Sequence, residues 1–218
     1  MPLAAPPNLI RREFMAGVAA LATGGAALAA PARRSAVVTV LGDSITAGYG
    51  LRANEALPAQ LGAALGRLGA PAVIRAAGVS GDTSAGGLAR VDFSVQPDTD
   101  LCIVALGGND LLQGLDPRGL KTNLTGIVRR LKARRIRVVL CGLHAPAGLN
   151  AGYAREFNAV FPAVARAEGV ALYANLLEGV ELSRTLNQRD GIHPNPRGVK
   201  IISAHLAPLV ARALRQRA

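Results

Sequence analysis

At 218 residues the chain has room for one ordinary domain and too little for two full ones. Half of its residues are hydrophobic, enough for a real core, but only 3% are aromatic, so alanine, leucine and valine must do the packing. The net charge of +11 is carried almost wholly by arginine, and because a GC-rich genome produces the same excess of arginine and alanine, the charge is discounted as a functional signal.

Residues 1–32 stand apart from the rest. Arg11-Arg12-Glu13-Phe14-Met15 is a twin-arginine pattern, Met15 to Ala32 carries no charge, and the stretch ends in the small-residue signal Ala30-Pro31-Ala32. A basic start, a short apolar run and an A-x-A site read as a signal peptide over 1–32. The remaining 33–218 form the domain, which the twin-arginine route would carry folded to the periplasm or outside. An uncleaved membrane anchor is the competing reading. The run is barely long enough for that and is interrupted by Gly17, Thr23, Gly24 and Gly25.

From Ser35 onward two patterns alternate. Strand-like apolar runs occupy 36–42, 72–78, 100–108, 136–143 and 170–176. Between them lie helical stripes: Leu57, Leu61, Leu65 and Leu68; then Leu120, Leu124, Ile127, Val128 and Leu131 behind an Asp116-Pro117 start; then Tyr153, Phe157, Val160, Phe161 and Val164. A last helix opens at Asn195-Pro196 and carries Ile202, Leu206, Leu209 and Val210. Continuous apolar strands separated by amphipathic helices predict one α/β domain, a five-stranded parallel sheet with helices on both faces. The two cysteines, Cys102 and Cys141, begin and end their respective runs. In parallel strands they fall at opposite ends, which predicts two buried free thiols.

Ligands of such sheets bind beyond the carboxyl ends of the strands, so the residues just after each strand carry the chemistry. Gly42-Asp43-Ser44 follows the first, 78–87 with Gly81 the second, Gly107-Gly108-Asn109-Asp110 the third, 142–150 the fourth, and a longer loop containing 189–198 the fifth. A serine after a strand is more often an N-cap or turn residue. Here, however, Asp190 and His193 sit three apart in a short loop bracketed by Gly191 and Pro194. That spacing lets a carboxylate hold one imidazole nitrogen and leave the other free, the orienter and base that a serine nucleophile needs. Gly81 lets a backbone N–H approach a ligand closely, and Asn109 follows two glycines that can push its amide into the pocket. With the Ser44 N–H they make three candidate donors to a developing oxyanion.

The blocks "GDSITAGYG", "SGDTS", "GGND" and "DGIHPN" resemble, in order, the four blocks of the SGNH or GDSL-type serine hydrolases. "GDTSAGGLAR" and "LGGNDLLQGL" bring the resemblance close to the bacterial periplasmic subgroup of multifunctional thioesterase I, lysophospholipase L1 and arylesterase. It covers Val37 to Val210. It implies a flavodoxin-like three-layer sandwich with a shallow active site, Ser44 as nucleophile, Asp190 and His193 as the other triad members, and Ser44, Gly81 and Asn109 around the oxyanion hole. The block-one leucine is Ile45 here. The mobile loop after the asparagine corresponds to 111–117, whose Leu111, Leu112 and Leu115 would suit an acyl chain or an aryl leaving group.

The function this implies is a serine esterase acting on aryl esters, short acyl esters, lysophospholipids or thioesters through an acyl-enzyme. A carbohydrate deacetylase of the same family and a non-catalytic binding protein on this fold are the alternatives. No cofactor or metal is expected, because no cluster of ligating residues at the right spacing occurs. The expected partner is a small ester or lipid, with weak membrane-surface contact and a monomeric state. The basic run 129–137 has no aromatic residue beside it, which argues against nucleic acid and for a solvated helix face. No P-loop or dinucleotide fingerprint is present. His144 follows the fourth strand without a carboxylate near it in sequence, ranking below His193 as a base but open as a substrate contact. His205 has no expected role.

Overall fold

Five apolar runs pair in parallel: β1 (Ala36–Gly42), β2 (Ala72–Gly78), β3 (Leu101–Ala105), β4 (Arg137–Cys141) and β5 (Ala171–Tyr173), in the order β2-β1-β3-β4-β5. The computed structural model describes residues 1–3, 34–146 and 148–216. All five strands belong to the compact unit Arg34–Ala218. The signal peptide expected over 1–32 lies, apart from its first three residues, outside the described residues.

The central strands are apolar throughout because both their faces are covered. Every residue of β3 is buried, as are Val38, Val40 and Leu41 of β1 and Val139 and Leu140 of β4. Among the described residues seven helices accompany the sheet: α1 (Ser44–Ala47), α2 (Leu57–Arg67), α3 (Ser84–Ser94), α4 (Gly108–Leu112), α5 (Pro117–Ala133), α6 (Ala151–Glu168) and α7 (Pro196–Arg215). On the sheet's flanks α2 packs against α7, and α5 packs against both α3 and α6. Phe157 and Phe161, both buried, meet edge to face on α6 at 5.6 Å.

Local chemistry explains the boundaries. The Asp116 carboxylate accepts from the Arg118 N–H with Pro117 at the first helical position of α5, and the Asn195 side chain accepts from Arg197 and Gly198 at the start of α7. The stripe expected of α5 is buried, and so is that of α6 from Phe157 to Val164, while Tyr153 at its start is half-buried. Leu68, expected on the α2 stripe, instead caps that helix and is 47% exposed. β3, β4 and β5 are shorter than their apolar runs.

Three helices are not expected from the sequence: α1 and α4, short helices on residues read as rim loops, and α3. Residues 84–94, which begin in the expected loop after β2, form α3. Thr83 caps it, and its buried positions are Ser84, Gly87 and Val91. A helix that packs through such small groups leaves no large apolar stripe to read. Cys102 and Cys141 are both buried and free, and burial pushes each thiol up to about 12.

The strand order reverses beside β1, since the chain passes from β1 to β2 on one side and to β3 on the other. Loops leaving β1 and β3 therefore diverge, and the crevice between them is where ligands of such sheets bind. Gly78 brings α1 down onto this rim: a Cβ there would lie 2.3 Å from the Ala47 backbone nitrogen and 2.8 Å from the Asp43 carbonyl.

Candidate active site

β1 ends at Gly42, and the next two residues begin the site. The Asp43 side chain accepts from the Ile45 N–H at 3.0 Å and caps the single turn of α1, which Gly48 ends in the left-handed region. Ser44 opens that turn, so its own N–H has no intrahelical acceptor. Its side chain is largely enclosed, with the residue 9% exposed.

The long loop after β5 supplies the other half. Asp190 Oδ1 accepts from the backbone N–H of Ile192 at 2.9 Å and of His193 at 3.0 Å, while Oδ2 lies 2.7 Å from His193 Nδ1. The opposite ring nitrogen, Nε2, lies 2.8 Å from Ser44 Oγ, across 149 residues of sequence. Burial pushes the Asp190 carboxyl up, but the His193 N–H, the His193 ring and the Ile192 N–H outweigh it and hold the group down at about 2. An ionised Asp190 fixes the tautomer: Nδ1 carries the hydrogen, and Nε2 presents its lone pair to the Ser44 hydroxyl. The loop is anchored at its base, where the Gln188 N–H donates to the His193 carbonyl at 2.8 Å. The Gln188 side chain donates to the Tyr49 carbonyl at 2.8 Å, tying this loop to the one after β1.

The candidate oxyanion donors come from the loops after β2 and β3. Gly81 has φ +85°, with open space where a Cβ would stand, so a side chain there would be strained by the backbone and not by crowding. Asn109, in the first turn of α4, donates one amide hydrogen to the Asp82 carbonyl at 2.8 Å. The second hydrogen of that amide is left for a ligand. The turn is held from beneath by Asp110, whose carboxylate accepts from the Ser84 N–H at 2.7 Å and from the Ser84 hydroxyl at 2.5 Å.

Ser44, Gly81, Asn109 and His193 line one cleft of about 270 Å³, together with Leu111 and Leu112. Asp190 stands behind His193. Leu115, expected to contact substrate, is not among the residues that line this cleft. Gly114 turns the chain at φ +63°, the Leu115 N–H donates back to the Asp110 carbonyl at 2.9 Å, and its own carbonyl accepts from the Tyr153 hydroxyl at 3.0 Å. Apolar residues the sequence did not single out complete the wall: Leu143, Leu177 and Ile192. Tyr49 also lines the cleft, with its ring centroid 4.6 Å from that of His193. A tyrosine in the segment after β1, in so aromatic-poor a chain, was the one signal the sequence offered. His144 reaches the cleft, whereas His205 is an exposed residue of α7. Among the described residues no group of three or more His, Cys, Asp or Glu is placed to hold a metal ion.

Asp43 is a carboxyl of the cleft wall to which no cation is bonded among the described residues. It is 5% exposed, and burial, opposed by the Ile45 N–H and by His193, raises it to about 6. The folded protein therefore binds an extra proton here between about pH 4 and pH 6. Stability falls as pH rises through that window, and the penalty is complete above it. Asparagine keeps the acceptor for the Ile45 N–H without the charge. Asp43→Asn is expected to leave urea stability unchanged at pH 4 and to raise it at pH 8 by on the order of 2–3 kcal/mol. An equal shift at both pH values would contradict the burial of a charge.

Comparison with known proteins identifies the family. The GDSL-like Lipase/Acylhydrolase family model matches residues 40–201. The chain is 36% identical over 199 residues to "Esterase TesA" of Pseudomonas aeruginosa, covering 88% of this chain and 99% of that protein. It is 36% identical over 157 residues to "Thioesterase 1/protease 1/lysophospholipase L1" of Escherichia coli, covering 72% of this chain and 74% of that protein. The crystal structure of AlinE4, an SGNH-hydrolase family esterase, superposes with a TM-score of 0.70 at 44% identity, covering 84% of this chain and 99% of that one.

Proposed function

The chain belongs to the GDSL-like lipase/acylhydrolase family of carboxylic ester hydrolases, and from that premise we propose that it cleaves esters of apolar acyl groups through Ser44, His193 and Asp190. The unbroken line of contacts from the Asp190 carboxylate through the His193 ring to the Ser44 hydroxyl supports this reading above any other observation.

Ser44 Oγ attacks the substrate carbonyl while His193 Nε2 takes its proton, and Asp190 stabilises the imidazolium that forms. The carbonyl oxygen becomes an anion that accepts from the Ser44 N–H, the Gly81 N–H and the free amide hydrogen of Asn109. His193 then gives its proton to the leaving oxygen or sulfur, and the acyl group stays on Ser44. Water, deprotonated by the same histidine, attacks the acyl-enzyme by the reverse path and restores the serine. Leu111, Leu112, Leu143, Leu177 and Ile192 form an apolar wall suited to an acyl or aryl group and poorly suited to a sugar. Thioesters and lysophospholipids present the same carbonyl and fall within the proposed range. The twin-arginine pattern at Arg11-Arg12 supports a site of action in the periplasm or outside the cell.

The test is hydrolysis of p-nitrophenyl esters from acetate to palmitate in the presence of a chelator. A cleft of about 270 Å³ lies near the small end of ligand pockets, so turnover should peak between butyrate and octanoate and fall at palmitate. No turnover of any ester by folded protein, or turnover only after metal is added, would sink the proposal.

A further inference from the structure

We infer that Arg90 is the positioning residue of the oxyanion pocket: its guanidinium fixes the end of β1, the end of β2 and the turn at Asp82 against one another, and so sets where the three donors converge. This rests on the reading of Ser44, Gly81 and Asn109 given above.

Arg90 lies on α3 with its side chain 17% exposed, and the carboxylate it pairs with, Asp82, is 16% exposed. Its Nε donates to Asp82 Oδ2 at 2.6 Å. One terminal nitrogen donates to the Ala77 carbonyl at 2.9 Å and to the Ser94 hydroxyl at 3.1 Å, and the other donates to the Gly42 carbonyl at 2.8 Å. Gly42 immediately precedes Asp43-Ser44. Asp82 immediately follows Gly81, and its own carbonyl accepts from the Asn109 amide. Each candidate donor therefore stands within a residue or two, or one further hydrogen bond, of the same planar cation.

Two physical consequences follow. A guanidinium has five N–H groups in a rigid fork and can hold acceptors on several chain segments at once, whereas an ammonium is a point charge on a flexible stem. Arg90 also anchors the Asp82 side chain, and so holds the turn that carries Gly81 and the carbonyl acceptor for Asn109. An ordinary structural arginine is a fair comparison and one exists. Arg137 donates to the carbonyls of Asp100, Ala213, Leu214 and Gln216 at 2.7–3.2 Å, but at the amino-terminal end of the sheet, away from the cleft.

The experiment compares Arg90→Lys, Asp82→Asn and Arg137→Lys with the parent chain. It measures kcat and KM for p-nitrophenyl butyrate, the inhibition constant of an alkylboronic acid, and Tm. A boronate bound to Ser44 places a tetrahedral anion among the donors, so its affinity reports their alignment directly. Arg90→Lys is expected to lower kcat about 10- to 100-fold with KM within about threefold, and to weaken the boronate by a comparable factor. Asp82→Asn leaves the guanidinium in place and should give a smaller loss in the same direction, which keeps the inference testable if Arg90→Lys does not fold. Arg137→Lys should lower Tm and change neither kcat nor the boronate. The inference is overturned if folded Arg90→Lys retains kcat and boronate affinity, or if kcat falls while boronate affinity does not. If Arg90→Lys does not fold, unchanged values in Asp82→Asn overturn it. If the parent chain shows no esterase activity at all, the functional proposal has failed, and this inference with it.

Discussion

Ser44→Ala is expected to lower kcat for p-nitrophenyl butyrate by about 10,000- to 1,000,000-fold, because the residue supplies the atom that forms the acyl-enzyme. The fold should tolerate the change. Asp43, not Ser44, caps α1, and alanine is a better helix former than serine. The remaining rate should still exceed that of water, since the three oxyanion donors stay in place. His193→Ala should cost a similar factor. The double variant should be no worse than either single one, because a nucleophile without its base and a base without its nucleophile are equally idle. Initial-rate kinetics, with thermal melts to show that each variant is folded, decide the matter. More than about one per cent of parental activity in Ser44→Ala would remove this serine from the reaction, given the expected factor.

Asn109→Ala is expected to lower kcat about 100- to 1,000-fold with little change in KM, the usual cost of one oxyanion donor. The split matters. A donor aimed at the tetrahedral anion is used in the transition state far more than in the bound ester, so its loss appears in kcat. Asn109→Asp is the sharper variant. It keeps the shape, but it replaces the donor to the Asp82 carbonyl with a repelling oxygen and sets a charge against the oxyanion. It should be at least as damaging as Asn109→Ala. Rates and Michaelis constants over the same ester series give the result. A rise in KM at unchanged kcat would assign Asn109 to substrate binding instead.

What the sequence disclosed follows from which forces leave a local imprint. The limits of β1 and β2 were readable because apolar runs there stop at glycines that the rim requires. The starts of α5 and α7 were readable because a capping side chain and a proline mark them within two residues. α3 was not, because it packs through Ser84, Gly87 and Val91, and small residues at a close interface imitate a loop. The four site blocks stood out because each follows a strand. That His193 Nε2 meets Ser44 Oγ depends on crossovers that no local window contains. Leu115 could not be told from Leu111 and Leu112, because three leucines in one segment look alike until a turn at Gly114 separates them. Arg90 was invisible for a related reason: its partner Gly42 lies 48 residues away, and arginine abounds in this chain.

The central claim, that Ser44 is the nucleophile, is tested most directly by covalent labelling with a p-nitrophenyl alkylphosphonate followed by mass mapping of the peptides. The expected result is release of one p-nitrophenolate per chain, a single adduct on Ser44, loss of esterase activity in step with labelling, and no adduct on Ser44→Ala. An adduct on another residue of the cleft such as Ser80, or esterase activity that survives full occupancy of Ser44, would contradict it.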